Sequence, residues 1–244
     1  VTLPTASLFQ PRWAVYPRWV PIEVQYNGPF EYDENASVDD IWKDVVEKIT
    51  VVPKISGNPR TFGFRMAYGL PKYLWACPNC FTLDSLKISE QNGDCIECEH
   101  CASSWELTVE NKMLGDNEMT VSTAFDRIAA HFGDNPTVNK EHFEQTGVAL
   151  TCPDATILKR NTDTNKMKTF HKGTLEITAE GLKISSADQE WQVLHKDITG
   201  ISVEIANLLQ FRIDGVAHRI VTPGQSSLMW HFFLKGWQAK PDPV

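Results

Sequence analysis

The sequence predicts an α+β, multi-domain chain. Its parts are a strand–helix N-terminal segment, a cysteine-held ribbon, a short helical linker and a seven-stranded β-barrel with a closing C-terminal helix. Three observations lead to this. Two Cys-x-x-Cys pairs, Cys77/Cys80 and Cys98/Cys101, are separated by residues 81–97. Apolar residues recur at helical spacing after Ser37, after Thr120 and around Trp230. From residue 151 onward, short strand-like runs follow one another with turn signals between them.

Residues 1–52 read as arm, strand and helix. Pro4, Pro11, Pro17 and Pro21 forbid a helix over the first stretch, which is expected as an extended arm packed on a neighbour. Arg12, Trp13, Arg18 and Trp19 would also suit a lipid headgroup layer. Residues 21–26 alternate as a half-buried strand does, and Asn27-Gly28-Pro29 ends it. Ser37 is a good N-cap, and Asp39 and Asp40 favour the positive end of a helix dipole. Val38, Ile41, Trp42, Val45 and Ile49 fall on one stripe, so Trp42 is expected to be buried. Fifty such residues are too few to fold alone, and a subunit contact or a missing upstream part is expected to complete them. The chain starts at Val1, which reads as a processed chain or a piece of a longer one.

A linker is expected at residues 53–60, around Gly57-Asn58-Pro59, followed by the ribbon at 62–112. Four thiolates meet the tetrahedral preference of zinc in a closed structural site, and a ribbon this small draws its folding energy from the metal. Phe81, Leu83, Leu86 and Ile88 are expected to leave the first knuckle, and Trp105, Leu107 and Val109 to follow the second. Cys95 and Cys98 also form a Cys-x-x-Cys pair. Cys98/Cys101 is preferred because Gly93 then leads a short strand into the knuckle, with Cys95 a bystander on it. Two-residue spacing and the lack of a secretory apolar stretch argue against disulfides. Four thiolates leave no open position for catalysis by the metal.

Residues 111–118 read as a turn-rich break. The connector at 118–147 is expected to hold a helix over about 120–132, with Val121, Phe125, Ile128 and Phe132 on one face and Gly133 as its stop. A further helical turn is expected at 140–145. Within 151–238, strands are expected at 155–159, 173–178, 181–185, 191–195, 198–204, 208–213 and 216–222, then a helix over 226–238 with Trp230, Phe233, Leu234 and Trp237 on one stripe. Seven strands and one closing amphipathic helix resemble the pleckstrin-homology and GRAM superfold. Gly173–Thr178, Gly181-Leu182 and Asp197-Ile198 look like its strand signatures.

Leu70–Cys80 resembles the ribbon that follows the catalytic domain of some bacterial 1-acylglycerol-3-phosphate (lysophospholipid) acyltransferases. Val20–Val24, Gly28-Pro29-Phe30 and the helix over 37–49 look like the last strand and helix of such a domain, which makes residues 1–52 its tail. The family's His-x4-Asp motif is absent: no histidine has an aspartate five residues on, and His171 has Glu176 there instead. No catalytic residue is therefore carried over.

Composition bounds the function. A net charge of −8 argues against nucleic acid as a partner. Six cysteines suit a reducing compartment, and no stretch of eighteen apolar residues exists to span a membrane. A cytoplasmic chain, peripheral on the membrane, is expected. Against the acidic background, Lys159, Arg160, Lys166, Lys168 and Lys172 oppose Asp163 alone, a local +4. In the resembled superfold the first hairpin often holds anionic headgroups. The first expectation is thus a non-catalytic accessory region of a lipid-metabolism protein, with a structural zinc and a headgroup or partner site. The alternative is a protein–protein interaction or scaffold subunit with no lipid role. An enzyme centred on Asp126, His131 and Asp134, or on His171 and Glu176, ranks last because neither set combines nucleophile, base and orienter.

Overall fold

A computed structural model of the chain describes all residues except 1–5, 22–23, 25, 27, 51–60, 135, 205–207 and 239–244. The expected linker at 53–60 lies outside the described residues, as does half of the strand expected at 21–26. Pro21, Val24 and Tyr26 carry no strand.

Two antiparallel sheets organise an α+β chain. The first has five strands in sequence order: β1 (Leu86–Ile88), β2 (Cys95–Cys98), β3 (Ser104–Leu107), β4 (Lys112–Gly115) and β5 (Met119–Thr120). The second has seven: β6 (Val148–Arg160), β7 (Met167–Thr178), β8 (Gly181–Ser185), β9 (Glu190–Leu194), β10 (Thr199–Glu204), β11 (Leu208–Ile213) and β12 (Val216–Val221). Its order is β10-β11-β12-β6-β7-β8-β9. The α-helices are α1 (Ala6–Phe9), α2 (Val38–Ile49), α3 (Leu70–Tyr73), α4 (Val121–Phe132), α5 (Lys140–Thr146) and α6 (Ser227–Gln238).

Alternation sets the small sheet. Ile96 and Cys98 on β2, Trp105 and Leu107 on β3 and Met113 on β4 are buried, while Glu97 and Glu106 between them are exposed. The turn-rich break expected at 111–118 therefore holds a strand. Asn111 takes the turn with φ 64°, and the buried Met113 pairs with Leu107 to complete the core face.

The proline-rich arm packs on this ribbon of its own chain, and α1 corrects the expectation that its prolines forbid a helix: Ala6–Phe9 is a proline-free run between Pro4 and Pro11, long enough for one turn. Trp19 and Phe62 exchange backbone hydrogen bonds of 2.8 and 3.1 Å. Arg18, only 1% exposed, donates to the Val109 carbonyl at 2.7 Å and to Asn111 Oδ1. Burial pulls its guanidinium down to about 10, with Asp94 opposing. The Trp13 carbonyl occupies the space a Cβ on residue 69 would need, so Gly69 is what lets arm and ribbon meet.

Helix α2 is capped as expected: Asp40 N donates to Ser37 Oγ at 3.1 Å. Its packing is not as expected. Trp42 is 66% exposed, and no residue of α2 is buried. The reason is which flank is covered. Tyr32 donates to Asp44 at 2.6 Å and the Lys48 ammonium lies 3.9 Å from the Phe30 ring centroid, so the 30–32 segment lies on the polar flank and leaves the apolar stripe bare.

The large sheet is open, which corrects the closed barrel expected from sequence. Its end strands β9 and β10 do not pair with each other among the described residues. A 3₁₀ turn at His195–Asp197 takes the chain round the corner between them. There Gln238 of α6 donates to the His195 and Ile198 carbonyls at 2.9 and 2.8 Å. The helix end thus supplies donors to carbonyls of the turn that joins the two end strands. Trp230, Phe233, Leu234 and Trp237 all turn inward, and Trp237 Nε1 donates to the Pro136 carbonyl at 3.0 Å.

Trp75 ties the two sheets together. It is fully buried, with ring centroids 5.3 Å from Phe132 of α4 and 4.9 and 6.1 Å from Phe232 and Phe233 of α6. One continuous apolar core results.

Trp237→Ala is expected to cost about 3–5 kcal/mol, as deletion of a packed core aromatic does. Trp42→Ala is expected to fall within about 0.5 kcal/mol of the parent, as surface changes do. Urea denaturation of the two variants checks both, and comparable losses would contradict the asymmetry.

Candidate metal centre and basic hairpin

Two knuckles of identical backbone design carry the four cysteines. In the first, Phe81 N donates to the Cys77 carbonyl at 2.9 Å and Cys77 N to the Thr82 carbonyl at 3.1 Å. In the second, Ala102 N donates to the Cys98 carbonyl at 2.9 Å and Cys98 N to the Ser103 carbonyl at 2.8 Å. Each turn needs a left-handed residue at the same place, Phe81 with φ 58° and Ala102 with φ 59°. Phe81 is held there by stacking on His131, with centroids 3.8 Å apart and planes 3° from parallel.

The sulfurs of Cys77, Cys80, Cys98 and Cys101 all lie within 4.8 Å of one another. Cys77 and Cys101 are 3.7 Å apart, and Cys80 and Cys98 are 3.6 Å apart. Four sulfurs each about 2.3 Å from a tetrahedral ion stand about 3.8 Å apart, so the set fits a metal and is too wide for disulfides. All six cysteines are free.

Hydroxyls surround the cluster: Thr82 Oγ1 stands 3.4 Å from Cys80 Sγ, Ser85 Oγ 3.4 Å from Cys98 Sγ and Ser103 Oγ 3.3 Å from Cys101 Sγ. Such groups steady thiolate charge. Burial raises the Cys98 thiol, but Ser85 and the knuckle amides outweigh it and bring it down to about 6. Burial dominates at Cys77 and pushes it up. Sequence reasoning misses these hydroxyls, because nothing marks Thr82 or Ser103 there beyond a place two residues from a ligand.

The two remaining thiols stand apart. Cys95 and Glu97 face one side of β2 while Ile96 and Cys98 face the other, so Cys95 is directed away from the cluster that Cys98 joins. Cys152 is buried in β6 opposite Leu175, and burial raises its thiol, the signature of an inert core cysteine.

The five basic residues lie on the β6–β7 hairpin and all are exposed. Lys159 pairs across from Lys168, and Lys172 from Thr156, while Arg160 pairs across from Met167. Lys159, Arg160 and Lys168 line a 380 Å³ pocket with Phe170 and Val216. Phe170 is the extra residue of a bulge between the pairs Ile157/His171 and Leu158/Thr169. Lys159 Nζ lies 5.0 Å from its ring centroid. The bulge and the pocket walls are not legible in the sequence. Lys166 sits at the hairpin turn, outside the pocket lining.

The catalytic candidates do not assemble. Asp126, His131 and Asp134 are exposed on and after α4, with the His131 ring engaged by Phe81. His171 stacks with Trp191, and Glu176 lies five residues further along the same strand, about 17 Å away at strand rise.

About one metal ion per chain is expected by elemental analysis, with chelation unfolding the ribbon. Cys98→Ser should lose the metal and Cys95→Ser should keep it. Metal loss from the Cys95 variant would overturn the assigned ligand set.

No family model and no curated protein matches the chain. Among solved structures, one titled "Crystal structure of Dcp1p" aligns with 46% of this chain and 98% of its own, at 9% identity and a TM-score of 0.34, too distant a likeness to carry any inference about this chain.

Proposed function

We propose that the chain is a non-catalytic accessory region of a lipid-metabolism, acyltransferase-like protein, with a structural zinc in its ribbon and an anionic-headgroup site on a pleckstrin-homology-like domain. Zinc is the reading of the metal because four thiolates in a tetrahedron suit its softness and leave no open position. The pleckstrin-homology-like reading rests on seven antiparallel strands in one sheet with an amphipathic helix across its open end.

One observation carries the headgroup site. Lys159 and Lys168 stand directly opposite each other beside an apolar-floored pocket, and neither makes an ion pair among the described residues. Like charges facing across a ladder destabilise it, and a bound anion removes that cost. Arg160 beside them adds a fork-shaped donor suited to phosphate. Below them, burial, with the Lys159 charge and against the hydrogen bond to the Val216 carbonyl, lowers the pKa of His218.

No helix of the described residues is long and apolar enough to cross a membrane. Contact with a bilayer would therefore be peripheral and electrostatic. Each basic residue near an anionic surface contributes about 1 kcal/mol, within a Debye length of about 8 Å.

Sedimentation with vesicles tests this. Wild-type protein is expected to bind phosphatidylserine-containing vesicles at low salt, to release as salt rises, and to ignore neutral vesicles. Lys159→Glu with Lys168→Glu is expected to abolish binding without lowering Tm. Equal sedimentation with anionic and neutral vesicles would sink the headgroup reading.

A further inference from the structure

At the foot of the basic hairpin stands a histidine that the binding of an anion by the lysines does not use. Four neighbouring strands bring it into one row with them. Lys168 on β7 pairs across from Lys159 on β6, Lys159 from His218 on β12, and His218 from Phe211 on β11. Residues directly opposite one another share a face of the sheet. The row runs from solvent into the core: both lysines are exposed, His218 is 3% exposed and Phe211 is fully buried.

The surroundings of the imidazole are apolar on most sides and cationic on one. Phe211 stacks on it, with centroids 5.7 Å apart and planes 11° from parallel, and Trp191 and Phe170 lie at 6.3 and 6.0 Å. A carbonyl only accepts, so Nδ1 carries the proton in the 3.0 Å hydrogen bond to Val216, a residue that also lines the pocket. Nε2 is left to take up a second proton. The charges on the row are Lys159 and Lys168, with Arg160 beside them in the pocket and His171 beyond Trp191. On β12 itself Arg219 turns to Gln210. The carboxylates that flank these strands, Asp163, Asp214 and Glu190, are exposed outside the row, and Glu190 is paired with Lys183.

Protonating Nε2 therefore adds a buried positive charge beside two lysines with no carboxylate among them. An anion seated between the lysines offsets that repulsion. We propose that His218 makes the hairpin pocket bind a headgroup phosphate more tightly when its imidazole is protonated, so that the site strengthens in acid. This rests on the headgroup reading of the pocket. Linkage fixes the sign, because an anion that eases protonation is itself held more tightly by the protonated form. Without the anion, burial lowers the imidazole below its ordinary value, with the Val216 hydrogen bond opposing and Lys159 adding; with the anion it titrates higher. The added affinity is full below the free-site value and is lost as pH rises through the bound-site value.

Sedimentation of the full chain with phosphatidylglycerol vesicles at about pH 5.5 and about pH 7.5 tests this, over the range in which histidine titrates. The phosphodiester headgroup stays anionic throughout. Wild-type protein is expected to bind about tenfold more tightly at the lower pH, the effect of a shift of about one unit in the imidazole. His218→Phe, which keeps a ring in the stack, and His218→Gln are each expected to bind equally at the two pH values, while His171→Gln keeps the wild-type dependence. Circular dichroism at both pH values checks that each variant is folded. Equal binding of the wild type at the two pH values would overturn the proposal and leave the headgroup reading standing. A pH dependence that persists in both His218 variants, or that vanishes in His171→Gln, would also overturn it. No binding at either pH would remove both readings together.

Discussion

The contact on which the rest depends is the burial of Trp75 between the two sheets. It sits two residues before the first metal ligand, so the knuckle fixes its backbone, and Ala76 and Cys77 beside it are fully buried. Its ring meets Phe132 from the connector and Phe232 and Phe233 from the last helix. Its indole N–H has no acceptor among the described residues, so aromatic area rather than a hydrogen bond holds it there. Around it, Lys72 donates to the Gly224 carbonyl and Ser226 to the Lys72 carbonyl, which fastens the start of α6 to α3. Because this seam adjoins the knuckle, losing the metal would loosen the docking of the large sheet as well as the ribbon.

Elements with strong local signals are legible in the amino-acid sequence. The paired knuckles, α4 with its Gly133 stop and α6 with its tryptophan stripe each combine spacing, cap and composition that agree with the final packing. Strand cores are legible too, but not their lengths. β6 and β7 run well beyond 155–159 and 173–178 because bulges absorb the breaks in alternation at Cys152/Ala155 and Ile157/Leu158. The openness of the large sheet cannot be read from strand count. The corner between the end strands is met by Gln238, which donates to the His195 and Ile198 carbonyls, a contact between residues about forty apart that spacing does not reveal.

The failure at Trp42 is more instructive. The apolar stripe of α2 is as clear as that of α4, and both helices are capped by a hydroxyl. Periodicity says only that a face is apolar; it does not say which surface covers it. For α4 the answer lies within the chain, as Val121, Ala124 and Ile128 join the common core. For α2 the described residues supply Phe30 and Tyr32 on the wrong flank. A rule that reads burial from pattern fails where the described residues pack on the polar flank and not on the stripe.

Charge is segregated along the same lines. The acidic excess concentrates around α2, and the basic excess concentrates on the β6–β7 hairpin. A chain of −8 overall can therefore present a local +4 to an anion, provided its carboxylates are held elsewhere. Both surfaces hang on a core in which the proposed catalytic sets do not assemble among the described residues and in which four cysteines could hold a metal ion. The physical division is between a rigid centre, whose chemistry is closed, and two peripheral faces of opposite sign whose chemistry is unsatisfied. Trp75 joins the two regions through rings: it packs on Phe132 of α4 and on Phe232 and Phe233 of α6, while the basic hairpin is formed by the central strands β6 and β7 of the large sheet.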